Sequence, residues 1–128
     1  QVIIPMIKGG LFPIIRNVIN NSLDLLDIDS HDGFSVTVIL ASGGYPDEYK
    51  KGMKIKGLND NSIIFHSGTK IIDGEYYTNG GRVLSIVGQD ISLKAAIEKA
   101  YSNINGISFD TMYFRKDIGS KGLDYIGE

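Results

Sequence analysis

Phe65-His66-Ser67-Gly68-Thr69-Lys70-Ile71-Ile72-Asp73-Gly74-Glu75-Tyr76-Tyr77-Thr78-Asn79-Gly80-Gly81-Arg82-Val83-Leu84 is the stretch on which the fold turns. Asp73-Gly74 lies between two runs rich in β-branched and aromatic residues, which is the signature of a two-residue type I′ hairpin. Such a hairpin folds Lys70 back toward the segment from Thr78 to Arg82. Two fixed cations, Lys70 and Arg82, beside the glycine pair Gly80-Gly81 form a pattern suited to an anion, because glycine lets backbone N–H groups approach a phosphate closely. His66, Thr69 and Asn79 stand beside this set as supporting polar groups. The same residues have a plainer reading, in which the glycines serve turns and the cations are solvated.

Outward from the hairpin, Val36, Val38 and Leu40 alternate with Thr37, Ile39 and Ala41, which predicts a strand ending at Ser42-Gly43-Gly44. Residues 62–66 predict a second short strand, and Arg82 to Val87 is expected to prolong the last hairpin strand past the glycines through a bulge. Leu93, Ala96, Ile97, Ala100, Tyr101 and Ile104 recur at helical spacing, so a helix is expected over roughly 93–105, capped by Ser92 and ended by Gly106. Ile107 to Phe109 and Met112 to Phe114 read as short closing strands, and Asp117 to Glu128 as an exposed tail. Upstream, Leu11, Ile14, Ile15, Val18 and Ile19 outline an amphipathic helix with Pro13 in its first turn. A polar, acidic connection from Asn20 to Gly33 separates it from the rest. The sum is an α+β domain: a small, mainly antiparallel sheet or half-barrel with one packed helix, preceded by a helix whose apolar face needs another partner.

With 128 residues the chain has material for one modest core. The net charge of -2 argues against a nucleic-acid surface, which would carry a clustered basic face. No apolar run approaches the roughly 20 residues of a membrane span. The absence of cysteine removes disulfides, thiolate catalysis and cysteine-bound zinc together, and suits a reducing, cytoplasmic compartment. His31 and His66 lack the spacing of metal ligands, and no nucleophile motif is present. Gln1 in place of an initiator Met suggests a piece of a longer protein. Met53-Lys54 resembles the modified tip of biotinyl and lipoyl carrier domains, but turn-forming residues on both sides break the symmetry a carrier requires.

A set of blocks covering nearly the whole chain resembles the carboxy-terminal part of the phosphoribosylamine-glycine ligase family. They are Ala41-Ser42-Gly43-Gly44-Tyr45-Pro46, Gly68-Thr69-Lys70, Thr78 to Leu84, Ala95 to Tyr101, and Tyr113 with Arg115-Lys116-Asp117-Ile118-Gly119. The resemblance implies an ATP-grasp enzyme that activates glycine with ATP and Mg2+ or Mn2+ and joins it to 5-phosphoribosylamine. It implies that residues 1–33 are the end of the ATP-grasp domain and residues 34–128 a substrate-closing domain of barrel-sandwich-hybrid type, partnered by the amino-terminal ATP-grasp region. It further implies that Lys70, Gly80, Gly81 and Arg82 face the sugar phosphate, that this chain supplies no catalytic or metal-binding residue, and that alone it is inactive. Gly9-Gly10, Asp47-Glu48 and Ser85 depart from the family's commoner residues, the first at the expense of a helix cap. A stand-alone phosphate-binding or regulatory module, or a carrier modified at Lys54, are the alternative functions.

Overall fold

A computed structural model describes residues 1–127. The chain runs through helix α1 (Leu11–Ile19), strands β1 (Phe34–Ser42), β2 (Ile63–His66), β3 (Thr69–Ile72), β4 (Glu75–Thr78) and β5 (Arg82–Asp90), helix α2 (Leu93–Ser102), strand β6 (Met112–Tyr113) and helix α3 (Ser120–Ile126). Four strands form an antiparallel sheet in the order β2-β5-β1-β6, and β3-β4 form a separate hairpin. The architecture is the small α+β domain expected from the sequence. Among the described residues, no helix is long and apolar enough to cross a membrane.

Alternation in β1 marks the face turned to the core, while β5, inside the sheet, is buried on both faces from Val83 to Gly88. Val38, Leu40, Leu84 and Ile86 pair across the two strands and are fully buried beneath α2. Burying side chains of this size contributes about 1.5–3 kcal/mol each. α2 begins where Ser92 accepts a hydrogen bond from the Ala95 N–H at 3.1 Å, and it presses Ala96 and Ala100 onto the sheet. The approach is so close that a Cβ on Gly88 would lie 2.3 Å from the Ala96 carbonyl oxygen and from the Ala100 nitrogen. The helix stops at Ser102, short of the expected end, and a turn carries the chain to Gly106.

Four local expectations are corrected. β4 does not run on into β5: it stops at Thr78, and the hairpin pairs instead with residues 52–56, through hydrogen bonds such as Thr78 N–H to the Met53 carbonyl at 2.8 Å. The bulge lies elsewhere, between β1 and β5, where the register passes from Leu40 opposite Leu84 to Ala41 opposite Arg82. Ile107 to Phe109 forms no strand, only a single bridge between Ser108 and Lys56. The expected tail contains α3, packed on α2 where Gly119 and Gly122 come against Ile97 and Leu93. Glu128, its last residue, lies outside the described residues.

Residues 1–33 form a small unit stitched by the Ile7–Ser30 bridge and the Lys8–Asp29 ion pair at 2.7 Å. Among the described residues two hydrogen bonds tie its side chains to the sheet: the Gln1 carboxamide oxygen accepts from Ser85 Oγ at 2.7 Å, and Gln89 Nε2 donates to Met6 Sδ at 3.2 Å. α1 has no buried residue, so its apolar face is open.

Candidate functional site: a glycine corner beside Arg82

The Asp73-Gly74 turn has positive φ at both residues, 50° and 79°, as a type I′ turn demands. It sets Lys70 opposite Tyr77 and Thr69 opposite Thr78. Beyond Thr78 the chain enters the corner Asn79-Gly80-Gly81. Three contacts fix that corner: Asn79 N–H donates to the Gly68 carbonyl at 2.7 Å, while Ser42 holds the Gly80 carbonyl through its Oγ at 2.9 Å and the Gly81 carbonyl through its N–H at 2.8 Å. The carbonyls are thereby occupied. The Gly80 and Gly81 N–H groups donate to no other group among the described residues.

Packing explains why glycine stands here. A Cβ on Gly68 would lie 2.7 Å from the Gly80 Cα, and one on Gly81 would lie 2.1 Å from Cδ2 of the Tyr45 ring. The turn reading holds for these residues, since close backbone packing excludes side chains, and the two amides are unclaimed among the described residues.

The β1–β5 bulge decides where Arg82 goes. Without it, Arg82 would share the face of Leu84 and Ile86 beneath α2. The extra residue Val83 turns Arg82 to the opposite face, level with Ala41. There Arg82 borders two adjoining cavities. One, of about 570 Å³, includes Gly68, Gly81, Ser67 and Gln1; the other, of about 310 Å³, is mostly apolar and includes Ile39, Ala41, Phe114 and Arg115. Tyr45 lines both. Among the described residues Arg82 takes part in no ion pair. An exposed guanidinium with no carboxylate partner, next to unclaimed amides, can take a bidentate anion.

The other residues singled out by the sequence fall into place unevenly. Lys70 is exposed on β3 and lines neither cavity that Arg82 borders. His66 Nδ1 lies 3.1 Å from Thr69 Oγ1, and its ring stacks on Tyr76 at 4.5 Å. Burial lowers its pKa from the usual 6.5, so the imidazole is neutral at pH 7. Lys54 bridges to Tyr77 of β4 and pairs with Glu75 at 3.2 Å, so it is not itself the tip of a hairpin. Sequence reasoning gave Arg115 no separate role, although it stands in a quoted block. It is held by Asp117 through two hydrogen bonds, Nε at 2.9 Å and Nη2 at 2.6 Å, which push the Asp117 carboxyl below the ordinary carboxylate range. Among the described residues there is no group of three or more His, Asp or Glu side chains that could hold a metal ion.

Known proteins resemble this chain in sequence and in fold. The family model described as phosphoribosylglycinamide synthetase, C domain, matches residues 35–121. The bifunctional purine biosynthetic protein purD of Dictyostelium discoideum is 45% identical, over 98% of this chain and 16% of its own length. The phosphoribosylamine–glycine ligase of Fusobacterium nucleatum is 42% identical, over 94% of this chain and 30% of its own. The crystal structure of phosphoribosylamine–glycine ligase from Thermotoga maritima superposes with a TM-score of 0.80 at 32% identity, covering 91% of this chain and 29% of that one. The chain thus spans less than a third of the length of each of these relatives. With the matched segment running from β1 to the start of α3, the chain belongs to the phosphoribosylglycinamide synthetase C-domain family.

Proposed function

We propose that this chain is the carboxy-terminal part of a cytoplasmic phosphoribosylamine-glycine ligase and that its glycine corner holds the 5-phosphate of phosphoribosylamine. The observation that carries the reading is the pairing of an unpartnered Arg82 with the unclaimed N–H groups of Gly80 and Gly81. Arg82 supplies the planar two-pronged contact, the amides supply fixed donors, and Lys70 adds positive potential from β3. His66, Thr69 and Asn79 support the loops on either side.

In the reaction the ligase performs, a glycine carboxylate oxygen attacks the γ-phosphorus of ATP and ADP leaves. The phosphoribosylamine nitrogen then attacks the acyl carbon, inorganic phosphate leaves with the bonding pair, and the nitrogen gives up a proton. ATP and its Mg2+ or Mn2+ belong to the ATP-grasp region of the ligase, of which residues 1–33 are the end. This domain positions: gripping the sugar phosphate holds the amine in line with the acyl phosphate and lowers the entropy cost of their meeting. The open apolar face of α1, where Phe12 is 74% and Ile19 73% exposed, suits docking on the preceding part of the ligase.

Steady-state kinetics of the intact ligase tests the phosphate role. Arg82→Ala is expected to raise KM for phosphoribosylamine by one to two orders of magnitude, because a charge-assisted contact is worth about 1.5–3 kcal/mol. KM for ATP and for glycine should stay close to wild type. Arg82→Lys should recover part of the loss, since an ammonium lacks the planar fork. Equal losses for all three substrates would retire the role and leave Arg82 as a structural residue.

A further inference from the structure

The apolar cavity next to the glycine corner has two guanidinium groups on its wall, and the ligase reading above uses only one of them. Arg82 comes from β5 and Arg115 from the segment after β6, and Ile39, Ala41, Tyr45 and Tyr113 line the cavity with them. Lys70, the second cation the sequence pairs with Arg82, borders neither this cavity nor its neighbour. Resting on that reading, we propose that the Arg82–Arg115 cavity is the compartment for the pentose ring, and that Arg115 is the second cation gripping the pentose 5-phosphate at short range.

Arg115 is built for such a contact. Asp117 engages its Nε and Nη2 and leaves both Nη1 hydrogens available, so the guanidinium plane is set before a ligand arrives. The backbone around it is pinned as well: Tyr101 Oη donates to the Arg115 carbonyl at 2.8 Å and accepts from the Ile118 N–H at 3.1 Å. Two arginines without a shared acid, 33 positions apart in sequence, line one cavity of about 310 Å³, where an anion can be met from both sides. The lining suits a pentose, since apolar and aromatic walls accept the C–H faces of the ring while its charged end stays with the guanidinium groups. Thr37, whose hydroxyl is buried without a partner, lines the same cavity and offers a polar group to a sugar hydroxyl or a bridging water.

Calorimetry on the intact ligase separates this inference from the reading beneath it, using glycinamide ribonucleotide and ribose 5-phosphate as probes. Arg115→Ala should weaken both by at least tenfold, Arg115→Lys should weaken them less, and Lys70→Ala should change either by no more than about threefold, as expected of a cation acting through solvent. Unchanged ATP binding and an unchanged melting temperature in Arg115→Ala would exclude a general loss of structure. If Arg82→Ala weakens both probes and Arg115→Ala does not, Arg115 has no part in the site and the phosphate reading survives. If Lys70→Ala proves the more damaging of the two, the second cation is Lys70 and the inference is overturned. If neither arginine matters, both readings fall.

Discussion

The Tyr45 ring occupies the space where Gly81 would carry a side chain, so one absent methyl group shapes the glycine corner. Gly81→Ala must push that ring aside and is expected to cost about 1–3 kcal/mol in chemical denaturation, the usual range for overpacking. Tyr45→Ala in the same chain should return part of the loss, and a double-mutant cycle showing strict additivity would contradict the contact. His66 gives a second test at this scale. Its pKa is lowered by burial, so the unfolded chain binds the proton more readily than the folded one. Its contribution is complete above the unfolded value near 6.5 and is lost as pH falls from there through the folded pKa. NMR titration should find the His66 imidazole half-protonated below pH 6.5, and His66→Gln should flatten the stability profile in that window. A His66 midpoint at or above 6.5 would remove the burial account.

Periodicity made β1 and α2 legible in the sequence, because each buries one face and repeats with the period of its element, and the Asp73-Gly74 turn signal did the same for the hairpin. The bulge was not legible in place. A bulge is a relation between two strands, and nothing in Arg82-Val83-Leu84 alone says which partner loses register. α3 was hidden for a different reason: Gly119 and Gly122 read as breakers, whereas here the missing side chains let the helix settle on Leu93 and Ile97. The glycine corner proposed as an anion site was visible as a cluster of residue types. The cavity joining Arg82 to Arg115 was not, since it depends on β6 pairing with β1. The seating of α2 makes a prediction at this scale. Gly88→Ala places a Cβ against helix backbone, which has no rotamer with which to yield, and should cost about 1–3 kcal/mol or more. A neutral result in thermal or urea unfolding would mean that α2 sits farther from the sheet.

Between residues 1–33 and the sheet, the molecule is asymmetric in how its apolar surface is used. The sheet and α2 close over their core, while α1 leaves Phe12, Ile15, Val18 and Ile19 open. The 128-residue chain by itself is therefore expected to self-associate through that face, and Phe12→Asp with Ile19→Asp should restore a monomer in sedimentation. A wild-type monomer at high concentration would contradict this. The same chain should not form glycinamide ribonucleotide, since it spans less than a third of the length of each ligase relative. Turnover above a host-free control would overturn that expectation. The central claim is that the free amides of Gly80 and Gly81 meet the sugar phosphate. Intact ligase labelled with 15N-glycine and titrated with glycinamide ribonucleotide tests it most directly. The account predicts that the Gly80 and Gly81 amide resonances shift together and saturate at the affinity measured by calorimetry. Saturation of the ligand with both resonances unmoved would contradict it.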